Sequence, residues 1–438
     1  MKFRDQTILK ITEVDKKGRG CGAVGQHRAC VPFAAPGEEV EATMFGRRHG
    51  EYTMRLDRVV TPSTHRHAPP CPYAQRCGGC AWQHLDYAYQ LELKRDLLNR
   101  VLGPAGLPTL TAVEPCPREF RYRNRMDFCV GWRGEVGLKE PGRWNAYVDL
   151  DDCRLISEDG VRALQATKQY IKEAGLEPWD GKKYTGYARY VVIREGANTG
   201  ERMVTIVTAA GALPQPERLI AALGPLTTTV YHGVNPTITD LSTAATLTLL
   251  HGKELLEEKV GDRRFLIHPN AFFQTNTVMA ERLVERARQY LGAARPATLL
   301  DLYCGTGLFG ISLADAASRV FGIEIEASAV AAARHNAEIN GLTNARFETA
   351  KAEDLLWREE HPDAVIIDPP RVGLHPRVIE TLLANRPPTL VYVSCNYESF
   401  ARDWQQLREA YDLADAAALD LFPHSAHVEL ITLLKRKS

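Results

Sequence analysis

Asp301-Leu302-Tyr303-Cys304-Gly305-Thr306-Gly307-Leu308-Phe309-Gly310 decides the fold of this chain. The apolar run over 297–303 reads as a buried strand that closes on Gly305-Thr306-Gly307-Leu308-Phe309-Gly310, a literal G-x-G-x-x-G turn. Downstream, strand-like runs recur over 319–325, 345–349, 364–368 and 390–394, with two more at about 413–421 and 428–435. Helical periodicity fills the gaps, for example over 327–340 and 397–410. Regular strand–helix alternation implies an α/β, doubly wound parallel sheet.

The glycine turn alone is a weak signal, and glycines that merely pack helix on sheet remain an alternative. Asp301 sharpens it. A carboxylate at the strand end, aimed into the turn, would repel a pyrophosphate. It suits a ligand that presents an ammonium or sulfonium, namely S-adenosylmethionine. Glu324, which stands 19 positions after Gly305, is placed to bond ribose hydroxyls. Asp354, after the third strand, is placed to meet the adenine.

Two further motifs close strands of the same sheet, Asp368-Pro369-Pro370-Arg371 and Ser394-Cys395-Asn396. Ligands of open α/β sheets bind at the carboxyl ends of the strands, so both motifs belong to the cofactor crevice. Amine methyltransferases carry an aromatic residue where Arg371 stands. Cytosine carbon-5 enzymes of the RNA type carry a cysteine where Pro370 stands. Cys395 remains as the reactive group. Carbon 5 of uracil is a poor nucleophile, and adding a thiolate to carbon 6 converts the ring to an enolate that can take a methyl group. The carbon-5 proton must then leave to a base. Glu429 fills that role if the last strand runs antiparallel beside the fifth. A buried strand cysteine and an edge-strand acid are the bland alternatives for these two residues.

The N-terminal half reads differently. Short β-like runs separated by glycines over residues 1–60 suggest a small all-β barrel. Residues 1–70 carry 12 Lys/Arg against 8 Asp/Glu, which fits either a solvated surface or a nucleic-acid-binding one. Residues 62–72 read as a linker. Helices are expected over 87–102 and 160–174, and strands over 126–131, 190–194, 203–208 and 230–233. Arg121, Tyr122, Arg123 and Arg125 interleave cations with a ring, a pattern that contacts phosphate and stacks unpaired bases, or that simply faces solvent. Across 438 residues Lys plus Arg equals Asp plus Glu at 54 each, which excludes a polycationic coat protein. No secretory signal or 18-residue apolar span is present, so a cytoplasmic, membrane-free protein is expected. Ten cysteines in that setting argue against a disulfide scaffold and for thiol chemistry or metal binding.

Taken with Phe272-Phe273-Gln274-Thr275-Asn276 and Phe422-Pro423-His424, these motifs resemble the RNA uracil-5-methyltransferase family. The resemblance implies Cys395 as nucleophile and Glu429 as base. It implies cofactor or target contacts at Gln274, Asp301, Tyr303, Gly305, Gly307, Glu324, Asp354 and Asp368. The first 60 residues resemble a TRAM domain, an RNA-binding barrel. Cys71, Cys77, Cys80 and Cys153 match the family's ligands of a 4Fe–4S cluster. Independently, the Cys77-Gly78-Gly79-Cys80 loop lets backbone amides face sulfur, and a distant cysteine closes a four-thiolate set. Zinc, which usually shows two short-spaced pairs, and unligated thiols remain alternatives. The expected architecture is therefore a Rossmann-like class I methyltransferase domain over 266–438, an N-terminal TRAM/OB-like β-barrel over 1–60 and a central α+β iron–sulfur and RNA-binding domain over 61–265. RNA is the expected partner, ribosomal RNA in preference to transfer RNA, acted on by a monomer. Two rivals remain. A Rossmann-type oxidoreductase would bind nicotinamide, and an RNA-binding assembly factor would bind RNA without turnover. The chain departs from the family at Tyr397, where relatives carry proline, and at Leu308, where they often carry asparagine.

Overall fold

The computed structural model describes residues 3–292, 295–354 and 356–438. Its C-terminal sheet has seven strands, in the order Ala345–Thr349, Arg319–Glu324, Thr298–Leu302, Ala364–Ile367, Thr389–Ser394, Glu429–Arg436 and Tyr411–Leu419. The first five run parallel. Glu429–Arg436 lies antiparallel between Thr389–Ser394 and Tyr411–Leu419. Thr298–Leu302 and Thr389–Ser394 are buried at every position, as expected for parallel strands covered on both faces. The Ala327–Ile339 and Tyr397–Leu407 helices fill the spaces read from the periodicity. Asn396 caps the second, its Oδ1 accepting from Glu398 N at 3.2 Å.

A second, mixed seven-stranded sheet covers the middle of the chain, with Arg125–Val130 and Ala188–Glu195 near its centre. The helix at Tyr87–Leu102 begins and ends where the periodicity places it. Its buried positions, Gln90, Leu93, Lys94, Leu97, Leu98 and Leu102, follow the helical repeat of one face. The helix packs against the Tyr397–Leu407 helix, in one apolar cluster that also takes in Leu300, Tyr392 and Leu430 of the C-terminal sheet. The middle sheet likewise shares a continuous core with Leu299, Val391 and Ile431.

The N-terminal residues form a six-stranded sheet around Leu9, Ile11, Val31, Val40 and Met54. Two expectations are corrected here. Cys21 and Cys30 are joined in a disulfide, with Cα atoms 4.2 Å apart. They stand directly opposite each other on antiparallel strands, a register that the spacing of cysteines does not show. The presumed linker is also latched to this sheet. Arg66 pairs with the wholly buried Glu38 and donates to Phe33 O at 2.7 Å. Trp82 adds a second tie, its Nε1 donating to Gly18 O at 2.9 Å. No helix among the described residues is long and apolar enough to cross a membrane.

Candidate active site

The glycine turn follows the Thr298–Leu302 strand, with Gly305 and Gly307 at φ +54° and +89°. A side chain at Gly307 would meet Ile311 Cδ1 at 2.6 Å, so only glycine fits there. Asp301 lies wholly buried beneath the turn rather than in the open crevice. Its Oδ2 accepts from Gly310 N at 2.8 Å, while its Oδ1 has no hydrogen-bond partner. Burial pushes its carboxyl up to about 7, and Asp368 and Glu324 add to the rise. Glu324 folds back across the turn, accepting from Gly305 N at 3.2 Å and Glu326 N at 3.0 Å. Each of its oxygens keeps a lone pair for a ligand hydroxyl. Tyr303 takes a left-handed conformation, φ +64°, between strand and turn. Asp354 is exposed at the end of a short turn beside Lys351. Gln274 is buried on the segment that Asn124 pins by donating to Gln274 O at 2.9 Å and Thr277 Oγ1 at 2.8 Å.

The antiparallel insertion aligns Ser394 with Leu430, which sets Cys395 opposite Glu429. Cys395 is half-buried, and Glu429 is 3% exposed with Oε1 unpartnered. Burial raises the Glu429 carboxyl well above its usual range, and Asp368 adds to the rise. The Cys395 thiol is pushed up to about 11 by burial, then by Glu429 and Asp368. The Arg371 guanidinium opposes this shift. Burial also lifts Asp368 to about 7. Arg371 has no role of its own in the sequence reading, although it closes the Asp368-Pro369-Pro370-Arg371 motif. Its position after two prolines at a strand end is the signal that it faces the crevice. Its backbone is held by Asn396 Nδ2 and Ser399 Oγ, which donate to Arg371 O at 2.8 and 2.6 Å.

The candidate RNA-contact run divides. Tyr122 is 5% exposed, with its hydroxyl donating to Pro423 O, so its ring cannot stack a base. Arg121 donates to Cys153 O and Ile156 O, both at 2.7 Å, and so shapes the loop of Cys153. Arg123 and Arg125 do reach solvent. With Lys16, Lys17 and His427 they line a cavity of about 450 Å³. A larger one, about 980 Å³, lies between the N-terminal sheet and the cysteine loop and carries Arg48, Arg55, Arg58 and Arg76. Cations around such cavities favour a polyanion.

Cys71, Cys77, Cys80 and Cys153 lie close together: Cys71, Cys77 and Cys153 each hold back the ionisation of Cys80, Cys71 and Cys153 that of Cys77, and Cys71 that of Cys153. Gly79 N points at Cys77 Sγ at 3.4 Å, and a Cβ at Gly78 would lie 2.7 Å from Lys139 O. The double glycine therefore lets this loop run against the neighbouring strand. Asp15, Cys21 and Cys30 also converge, but both of those sulfurs are spent in the disulfide.

Residues 242–437 match the family described as tRNA (Uracil-5-)-methyltransferase. The chain is 38% identical over 415 residues to the tRNA (uracil(54)-C(5))-methyltransferase of Pyrococcus horikoshii, covering 95% of this chain and 97% of that one. It is 34% identical to an RNA methyltransferase of Caldanaerobacter subterraneus, covering 98% of each chain. Among solved structures, the Pyrococcus abyssi tRNA (uracil-54, C5)-methyltransferase in complex with S-adenosyl-L-homocysteine superposes with a TM-score of 0.81 at 36% identity. That match covers 98% of this chain and 100% of the other.

Proposed function

The chain belongs to the RNA uracil-5-methyltransferase family, an S-adenosylmethionine-dependent group of enzymes with a Rossmann-like class I domain, and from that premise we propose that it methylates carbon 5 of a uridine in transfer RNA through a covalent Cys395 adduct. The observation that carries the chemistry is the register of the inserted strand, which aligns Ser394 with Leu430 and so brings Cys395 beside Glu429. The expectation of ribosomal RNA is set aside. The Pyrococcus relatives are named for transfer RNA, and the preference for ribosomal RNA had rested on the barrel and the cysteine set alone. Incubating the protein with labelled cofactor and either transfer RNA or 23S ribosomal RNA tests this reading. Label in 5-methyluridine of transfer RNA is expected. Label in ribosomal RNA alone would overturn the substrate assignment.

The cofactor supplies an electrophilic methyl group. Cys395 adds its sulfur to carbon 6, and the carbon 5–carbon 6 π electrons move into an enolate. Asp368, with a carboxyl near 7, carries a proton for part of the time at neutral pH. It can hydrogen-bond the oxygen on which enolate charge develops. The enolate takes the methyl at carbon 5. Glu429 then removes the carbon-5 proton, that electron pair restores the double bond, and the thiolate leaves. Gly305 and Gly307 shape the cofactor turn, with Asp301 supporting it from below. Glu324 holds the ribose, with Gln274, Tyr303 and Asp354 around the remainder. Glu324→Ala is expected to weaken S-adenosylmethionine binding about 10-fold in calorimetry, since a hydrogen bond to a charged group contributes ~1.5–3 kcal/mol. Unchanged affinity would remove Glu324 from the site.

Arg123 and Arg125 are proposed to guide the RNA backbone toward Cys395. Residues 1–60, 61–265 and 266–438 are proposed to act as barrel, cysteine-bearing and methyl-transferring parts. The four cysteines suit a 4Fe–4S cluster. Such a cluster contributes binding energy that ties the loop of Cys71, Cys77 and Cys80 to Cys153. Anaerobically purified protein is expected to be brown with about four irons per chain. Stoichiometric zinc in colourless protein would refute the cluster. Cys80→Ala is expected to lose the iron and much of the soluble yield.

A further inference from the structure

The segment that delivers Glu429 is held by another part of the chain. Residues 420–428 connect the last two strands, and several of their polar groups bond to residues outside the C-terminal sheet. Lys94, wholly buried, pairs with Asp420 and donates to Phe422 O at 3.0 Å. Tyr87 OH donates to Asp420 Oδ2 at 2.9 Å, and Tyr122 OH to Pro423 O at 3.1 Å. His424 is the centre of the arrangement. It is 3% exposed and left-handed at φ +65°, a conformation that persists only where the surroundings over-determine it. The backbone amides of Ala81 and Trp82 both donate to His424 O, at 2.7 and 3.0 Å. Gln90 Oε1 accepts from His424 N at 2.9 Å. Gln90 Nε2 lies 3.2 Å from His424 Nδ1 and also donates to Trp82 O and Leu85 O. Phe120 stacks on the imidazole at 4.3 Å between centroids.

Ala81 and Trp82 directly follow Cys80. The cysteine loop and the base-bearing segment therefore meet at His424, five residues before Glu429. Cys395 directly follows the Thr389–Ser394 strand, which sets its place. Building on the covalent mechanism proposed above, we infer that Gln90 and the Cys77–Cys80 loop are positioning elements for Glu429. They set the rate of proton removal and RNA release, and leave thiolate addition and methyl transfer to the rest of the site. In that step the carbon-5 proton passes to the Glu429 carboxylate. The freed electron pair forms the carbon 5–carbon 6 double bond, and the carbon 6–sulfur bond breaks to return the Cys395 thiolate. Displacing Glu429 stops these coupled events and strands the methylated RNA on the protein.

Gln90→Ala separates this role from a merely structural one. S-adenosylhomocysteine affinity and single-turnover methyl transfer are expected to stay within about threefold of the parent, while multiple-turnover rate falls about 10-fold or more. A denaturing gel is expected to show a labelled, methylated RNA–protein band that the parent does not accumulate. Tyr122→Phe, which removes only the hydroxyl bonded to Pro423 O, is expected to give the same pattern at smaller size. Hydrogen exchange in Gln90→Ala is expected to quicken at residues 422–428 and not in the Thr389–Ser394 strand. Single- and multiple-turnover rates falling together in both variants, or normal turnover in both, would overturn the inference. A parent protein that forms no adduct even with cofactor and RNA carrying 5-fluorouridine, whose fluorine cannot leave as a cation, would instead refute the covalent reading on which it rests.

Discussion

Cys395→Ala and Glu429→Gln are expected to fail at different steps of one reaction. Cys395→Ala removes the group that makes carbon 5 nucleophilic. It should bind RNA, form no covalent complex, and lose at least about 10⁴-fold in methyl transfer, as removal of a nucleophile does elsewhere. Glu429→Gln keeps the shape of the buried side chain and deletes its proton acceptor. It should add the thiolate, transfer the methyl, and then stall, with turnover reduced about 10²–10⁴-fold, the usual worth of a general base. A denaturing gel with methyl-labelled cofactor distinguishes the two, since only Glu429→Gln should give a labelled slow-migrating band. RNA carrying 5-fluorouridine should trap the parent in the same way, because fluorine cannot leave as a cation. Trapping by Cys395→Ala would show that another residue is the nucleophile. Normal turnover by Glu429→Gln would hand proton removal to another group, and His427 on the cavity rim is the next to examine.

The rate of that trapping reaction is expected to rise with pH. Only the thiolate adds to carbon 6. The Cys395 thiol is pushed up to about 11 by burial and by the neighbouring Glu429 and Asp368. Below that value the thiolate fraction grows with pH, so trapping should quicken between pH 7 and pH 9, by less than tenfold per unit because Asp368, near 7, loses over the same range the proton it offers the enolate oxygen. Arg371 works in the opposite direction, lowering the cost of the sulfur's charge. Arg371→Ala should therefore slow trapping at every pH in that window and preserve the slope. A flat profile would mean that the proton leaves Cys395 to a group already ionised at pH 7. Faster trapping in Arg371→Ala would mean that the guanidinium does not stabilise the thiolate.

Both expectations rest on a juxtaposition that the chain order only half discloses. The parallel core of the C-terminal sheet was legible because each strand is an apolar run and each helix a 3.6-residue repeat, which are local signals. So were the glycine turn, the acids at strand ends and the helix at Tyr87–Leu102, whose buried face follows its own periodicity. Cys395 and Glu429 could be named from chemistry, since few residue types add to uracil or accept a carbon-bound proton. Their meeting depended on strand order, and the insertion of Glu429–Arg436 beside Thr389–Ser394 supplied it. Other features exist only in three dimensions. The Cys21–Cys30 bond needs a hairpin register. The Arg121-to-Arg125 run has the same alternation whether it faces solvent or wraps a loop. Burial of Tyr122 and the bonds of Arg121 to Cys153 O and Ile156 O decide for the loop. Asp301 was legible as a strand-end acid, but its place beneath the turn was not. Gln90 carries no sequence signal at all. A glutamine on a helix is ordinary until the fold buries it against a backbone 334 residues away, where its amide must be satisfied and so dictates the position of what it touches.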